Sequence, residues 1–307
     1  MTDLSVKAPG NDMKSAATER TWPLRAITLA GQYWPAPAGV TGKQTPTLLL
    51  HGWLDNSETF SLLAPKLGRL GDLYALDMAG HGHSGHRPEG QAYLLVDYVA
   101  DLAELLESHF LTDSQPQVDL VGHSLGGIVS LLYAATFPEH VRRLVMIDSL
   151  GPLTRPPAAF VDQLRKAIRK RIAGSGRGVV YPDIATAARS RAGGLSPLSD
   201  RAAMKLVRRN MQAVEGGYRW RTDPRLRHPS PMMMDEAQVE ACMKAVPTPA
   251  LFIRASEGLL AESLSFGHRL EFFRQLQVVD VPGGHHCHLD GDVEPVAAAI
   301  LEFLGND

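Results

Sequence analysis

The chain has 307 residues, 44% of them hydrophobic, with a formal charge of −2. That length and apolar content suit one large α/β domain with room for an inserted subdomain. Its two cysteines, Cys242 and Cys287, lie far apart, which argues against a disulfide framework, and no apolar run is long enough to cross a bilayer.

Residues 1–20 are polar and mixed in charge and read as a loose, flexible tail without the apolar centre of a signal peptide. With reduced cysteines, this gives a cytoplasmic protein as the expectation. Residues 26–34 alternate weakly, as a hairpin around Gly31 would. Residues 47–50 form a short apolar strand running into His51-Gly52-Trp53. Residues 57–67 place Phe60, Leu63 and Leu67 on one helical face. Residues 73–76 are a second buried strand ending at Asp77, and 80–85 are a glycine-rich loop. A helix over 94–110 carries Leu95, Val99, Leu102, Leu106 and Phe110. The strand at 117–121 leads into Gly122-His123-Ser124-Leu125-Gly126-Gly127, and a helix follows to residue 136. Further apolar strands at 143–147, 250–253 and 277–281 end near Asp148, Glu257 and His285, and a helix at 293–304 closes the chain.

Short apolar strands alternating with helices predict a mostly parallel sheet covered on both faces. Ligands of such sheets gather at the carboxyl ends of the strands. His51, Asp77, Ser124, Asp148 and His285 all follow strands, so one edge of one sheet can present them together. Residues 21–150 and 231–307 read as the core domain. The segment 151–230 differs: it holds 17 Lys/Arg against 5 Asp/Glu, leaving 14 against 28 in the rest of the chain. Helices are predicted there at 158–172 and 200–214, as a cap over the strand ends.

A Gly-x-Ser-x-Gly turn between a strand and a helix holds its serine in a strained conformation at a helix N-terminus, where unpaired N–H groups face the hydroxyl. A serine hydroxyl needs a base, and that base needs an orienting carboxylate. Ser124 is the candidate nucleophile and His285, behind Pro282-Gly283-Gly284, the candidate base; His286 and His288 are its competitors. The acid is Asp148 at a strand end, with Glu257 as the alternative. The N–H groups of Trp53 and Leu125 are the candidate oxyanion hole, with His51 as a buttress of that turn. The 285–288 cluster also invites a metal reading, but its position after a strand favours a catalytic base, so neither a metal nor a cofactor is expected. The basic excess points to an anionic substrate touching Arg219, Arg221, Arg225 and Arg227, or else to pairing with the acidic core. No motif for nucleic acid or membrane binding stands out, and either a monomer or a homodimer is expected.

Taken together, the segments at 51–56, 77–84, 122–127 and 282–288 resemble the α/β-hydrolase superfamily, from about residue 47 to 304 outside the cap. Within it, His51-Gly52-Trp53-Leu54-Asp55-Asn56 and the pair His285 and His288 are similar to serine hydrolase-like proteins. The resemblance implies Ser124 as nucleophile, His285 as base, and an acid after the sixth or seventh strand of the family's sheet. Many relatives carry that acid as Asp where this chain has Gly258, which turns attention to Asp148. Relatives that open epoxides or remove halides use aspartate in place of Ser124, so their chemistry is not expected. The implied activity is cleavage of a carboxylic ester or thioester without cofactor; the alternatives are a cofactor-free perhydrolase or haloperoxidase, and a non-catalytic ligand-binding protein.

Overall fold

The computed structural model describes residues 17–40, 45–176, 178–261 and 264–305. Its strands are β1 (Thr18–Pro23), β2 (Thr28–Trp34), β3 (Thr47–Leu50), β4 (Leu73–Asp77), β5 (Val118–His123), β6 (Val141–Ile147), β7 (Met211–Val214), β8 (Gly217–Trp220), β9 (Ala250–Glu257) and β10 (Leu276–Gly284). Its helices are α1 (Leu95–His109), α2 (Leu125–Thr136), α3 (Phe160–Ala173), α4 (Ile184–Ala192), α5 (Asp200–Asn210), α6 (Glu236–Ala245), the single turn α7 (Leu264–Gly267) and α8 (Glu294–Gly305).

Eight strands make one sheet in the order β1-β2-β4-β3-β5-β6-β9-β10. β1 and β2 join antiparallel, β2 and β4 likewise, and every pair from β4 to β10 is parallel. The fold is therefore that of an α/β hydrolase with a mostly parallel sheet. The central strands are apolar on both faces because helices cover both: every residue of β3 and of β5 is buried. One core lies under α1, α2 and α6, the other under α8 and the turns after β3. α1 buries Tyr98, Leu102, Leu105 and Leu106, one face at helical spacing.

The register sets the functional edge. Leu50 pairs with Gly122, His123 with Ile147, and Ile147 with Ile253, so β3, β5 and β6 end at about one level, which β9 passes at Ile253 before ending at Glu257. Whatever follows those strands meets above the sheet.

Three local expectations are corrected. The expected tail extends to residue 20, but Thr18, Glu19 and Arg20 open β1; residues 1–16 lie outside the described residues. The first hairpin turns at 24–27, where Leu24 N–H donates to Ile27 O at 2.8 Å, while Gly31 sits mid-strand opposite Arg20. The helix expected at 57–67 is instead a series of 3₁₀ turns at Ser57–Phe60, Ala64–Lys66 and Gly68–Leu70. Pro65 lacks an N–H and Gly68 weakens any continuation, yet Phe60, Leu63 and Leu67 are fully buried as their spacing implied.

Residues 151–230 lie between β6 and α6 and carry α3, α4, α5 and the β7–β8 hairpin. The helix expected over 200–214 stops at Asn210. That side chain is captured by the core, accepting from Gly82 N–H at 3.3 Å and donating to Leu54 O at 3.2 Å, and Met211 turns to pair with Trp220. Several of the segment's arginines reach into the acidic core. Arg191 meets Asp55 at 3.0 Å, and Arg209 meets Asp77 at 2.8 Å and Glu19 at 2.6 Å.

Asp77 is fully buried and also accepts from Ser57 and His83 N–H, both at 2.8 Å. Burial pushes its pKa up, but the Arg209 charge and these bonds outweigh burial and hold it below the usual carboxylate range. A carboxylate depressed in the fold stabilises it fully above about pH 4, its unfolded value, and that contribution is lost as pH falls toward the folded one. Arg209→Met is expected to lower unfolding free energy by about 3–5 kcal/mol, because it strands a buried charge. Arg208→Met, on the same helix but exposed, is expected to stay within about 0.5 kcal/mol. Urea midpoints at pH 7 check both, and equal midpoints for the two variants would remove the buried pair from the account.

Candidate active site

β5 is an apolar strand that ends in Gly122-His123, and Ser124 follows with φ 49° and ψ −115°. A positive φ at a residue with a Cβ costs about 1–3 kcal/mol and persists only where neighbours enforce it. Here Ser124 N–H donates to Ile147 O at 3.2 Å, and Ser124 O accepts from Ile128 N–H at 3.1 Å and from Ser149 Oγ at 2.8 Å. The turn also requires glycine at 126, where a Cβ would run into the backbone oxygens of Leu50 and His51. Ser124 thus stands immediately before α2, whose first N–H groups have no partner within the helix.

His285 follows β10, at the far side of β9 from β6. Its Nδ1 lies 2.6 Å from Asp148 Oδ2, which also accepts from Leu259 N–H at 2.9 Å. A carboxylate only accepts, so Nδ1 carries the proton and Nε2 keeps its lone pair. Asp148 is buried and sits in a strained conformation of its own, φ 41°, with its N–H donated to Ile253 O at 2.8 Å. Glu257, the other candidate acid, is exposed at the end of β9. Gly258 is informative: a Cβ there would fall on the Asp148 carboxylate, 2.6 Å from Cγ. The carboxylate that arrives from β6 thus fills the space that an acid at 258 would claim.

The other two histidines of the cluster are engaged elsewhere. His286 Nε2 lies 2.9 Å from Asp55 Oδ2, and His288 Nε2 lies 2.8 Å from Thr59 Oγ1. Ser124 and His285 line the same cavity, of about 340 Å³, with Trp53, Trp220, Tyr181 and Leu259 among its walls.

The turn after β3 is held by two buried histidines. His51 Nε2 accepts from Met78 N–H at 2.9 Å and its Nδ1 donates to Gly52 O at 2.7 Å, while His81 Nε2 accepts from Leu54 N–H at 3.2 Å. Burial, aided by the neighbouring His51, pushes the pKa of His81 down to about 3, which keeps it a neutral acceptor. Among the described residues, the backbone N–H groups of Trp53 and Leu125 are taken by no other acceptor. The Trp53 indole N–H donates to Leu226 O at 3.0 Å, tying this turn to the basic segment.

Of the four arginines proposed for substrate, only Arg227 lines this cavity. Arg225 is committed to Asp223, Pro88, Gln91 and Arg87; Arg221 donates to Met211 O at 3.2 Å; Arg219 is exposed on β8. Their proximity in sequence did not translate into one surface, because the β7–β8 hairpin and the turn at Pro224–Arg227 aim them apart. Arg191 was missed: it lines the cavity and reaches Asp55. No local spacing links residues 55, 191 and 286, so the sequence carried no signal for this contact.

The alpha/beta hydrolase fold family matches residues 45–292, and the chain belongs to it. Within that family it stands close to the serine hydrolase-like proteins. The serine hydrolase-like protein of Danio rerio is 31% identical over 304 residues, spanning 95% of this chain and 90% of that one. The 2-(acetamidomethylene)succinate hydrolase of Mesorhizobium japonicum is 28% identical, over 84% of this chain and 87% of its own. The crystal structure of a hypothetical protein from Pseudomonas aeruginosa PAO1 is 37% identical and superposes with a TM-score of 0.84, covering 94% of this chain and 98% of that one. These kinships make the chain a hydrolase-family protein; among the described residues no helix is long and apolar enough to cross a membrane.

Proposed function

We propose that this protein cleaves carboxylic esters or thioesters through an acyl-enzyme on Ser124. The observation that carries the reading is the 2.6 Å bond between His285 Nδ1 and Asp148, which leaves Nε2 basic in the cavity that Ser124 also lines. Ser124 Oγ attacks the carbonyl carbon while His285 Nε2 takes its proton. Asp148 fixes the tautomer and stabilises the imidazolium that forms. The N–H groups of Trp53 and Leu125 receive the oxyanion. His285 then gives its proton to the leaving alcohol or thiol, and water repeats the sequence on the acyl-enzyme. A fluorophosphonate probe tests this: it should form an adduct on Ser124, located by peptide mass, and a probe that leaves Ser124 unmodified overturns the reading.

The cavity's charge narrows the substrate. Neither Asp nor Glu is among the residues that line it, while two arginines are. Arg191 is matched by Asp55, so the unmatched positive charge comes from Arg227. We propose a substrate with an acidic group remote from the scissile carbonyl, and the succinate derivative named for the Mesorhizobium relative is consistent with that class. A charge-assisted bond to Arg is worth about 1.5–3 kcal/mol. Arg227→Ala is therefore expected to lower kcat/KM by about 10- to 100-fold for carboxylate-bearing p-nitrophenyl esters, with neutral esters nearly unaffected. Equal losses on both ester classes would refute the assignment.

A further inference from the structure

Beneath the catalytic loop lies a second polar cluster that the proposed reaction does not use. Asp55, His123 and His286 are all buried, and a carboxylate oxygen of Asp55, a ring nitrogen of His123 and one of His286 lie within 4.8 Å of one another. The tautomer of His123 follows from its bonding. Its Nε2 lies 2.9 Å from the carbonyl of His285, an acceptor, so Nε2 carries the proton and Nδ1 holds a lone pair. That Nδ1 has no hydrogen-bond partner among the described residues, although the ring is fully buried. Asp55 Oδ2 lies 3.9 Å from it. With its proton committed to the His285 carbonyl, His123 presents a lone pair to a carboxylate oxygen, so two acceptors face each other across this gap.

The span says what fits between them. A water bridging two acceptors with hydrogen bonds of ~2.8 Å at a tetrahedral angle holds them ~4.5 Å apart. One ion with ligands at ~2.1 Å holds two of them ~3.4 Å apart when tetrahedral and ~4.2 Å at most. The observed 3.9 Å lies inside the second range and short of the first, whereas His286 Nε2 and Asp55 Oδ2, at a hydrogen-bond distance of 2.9 Å, must part by about 0.5 Å for an ion to take the place of the shared proton. The backbone packs closely here: a Cβ on Gly52 would stand 2.8 Å from His123 Nδ1 and 3.1 Å from Asp55 Oδ2, so glycine is what lets the turn pass beside these two atoms. Two imidazoles and one carboxylate are a donor set for Zn²⁺-type ions and not for Ca²⁺ or Mg²⁺, which want oxygen.

We infer that Asp55, His123 and His286 form a buried site for one divalent transition-metal ion of the Zn²⁺ type, for which Arg191 competes. Arg191 Nη2 lies 3.0 Å from Asp55 Oδ1 and 3.4 Å from His286 Nε2, so it supplies the positive charge when no ion is bound. Loading moves the His286 proton from Nε2 to Nδ1, which lies 3.5 Å from Ser196 Oγ; Nε2 then donates its lone pair to the ion and no proton is released. The like charge of the ion drives Arg191 off Asp55 and into the substrate cavity that it lines. The site does not depend on the hydrolytic reading.

The test uses the full chain, dialysed against EDTA and then titrated with Zn²⁺ alone, with metal analysis of the bound fraction. One equivalent should bind saturably, and Co²⁺ in its place should give the visible absorption of a low-coordinate nitrogen and oxygen site. Asp55→Asn and His286→Asn should each weaken Zn²⁺ at least tenfold. Arg191→Ala keeps every ligand and removes the competitor, so it should tighten Zn²⁺ severalfold. Ser124→Ala should bind as the parent does, so loss of the esterase reading and loss of this one are separable. The inference fails if the parent binds no saturable equivalent, or if the Asp55 and His286 variants bind as tightly as the parent.

Discussion

Ser124→Ala is expected to lower kcat by about 10⁶-fold, as removal of a triad serine does, with the residual rate coming from oxyanion donors and binding alone. That loss equals about 8 kcal/mol of barrier, a size that within this cavity only removal of His285 should match. The fold should survive, because the bonds that fix residue 124 run through its backbone to Ile147, Ile128 and Ser149. Alanine inherits the strain at φ 49°, but glycine does not. Ser124→Gly should therefore be as inactive as Ser124→Ala yet more stable than it by about 0.5–2 kcal/mol. Such a difference would show that the backbone distortion serves the hydroxyl's placement at a cost to stability. Turnover of p-nitrophenyl esters and thermal midpoints read the two effects separately. An alanine variant retaining more than about 1% of kcat would remove Ser124 from the chemistry.

Much of this arrangement was legible because it is local. The short apolar runs at 47–50, 117–121 and 143–147 read as buried strands, and glycines at 122, 126 and 127 mark a turn too tight for side chains. His285 was readable because it follows an apolar strand and a Pro-Gly-Gly turn. Other features depend on partners distant in the chain. Residues 200–214 carry a helical pattern, but Asn210 is claimed by Gly82 and Leu54, and the chain turns to pair with Trp220. The 3₁₀ turns after β3 bury the expected residues, so the periodicity reported the face correctly and the geometry wrongly. The arginines failed for the same reason: composition marks the segment as basic, but only the fold assigns Arg209 to Asp77, Arg191 to Asp55 and Arg227 to the cavity. Asp55, His123 and His286 are separated by 68 and 163 residues, and no periodic pattern reaches that far.

The second large effect concerns the acid. Asp148→Asn should lower kcat by about 10⁴-fold, because an amide in that place favours the imidazole tautomer with its proton on the wrong nitrogen. Glu257→Gln, changed at an exposed strand end, should leave kcat within about threefold. The sharper experiment exploits the space shared by residues 148 and 258. Asp148 adopts φ 41°, which glycine accepts without strain, and the backbone at 258 is free of any positive φ. In Asp148→Gly the carboxylate is gone and the volume it filled beside residue 258 is open. Adding Gly258→Asp places a carboxylate there from β9 instead of β6. The double variant should recover at least tenfold over Asp148→Gly alone, whereas Gly258→Asp in the parent should be damaging, since its Cβ collides with Asp148. Recovery would mean that the imidazole needs a carboxylate at a point in space and is indifferent to the strand that delivers it. A parent-like Asp148→Asn together with an inactive Glu257→Gln would transfer the role to the other strand end.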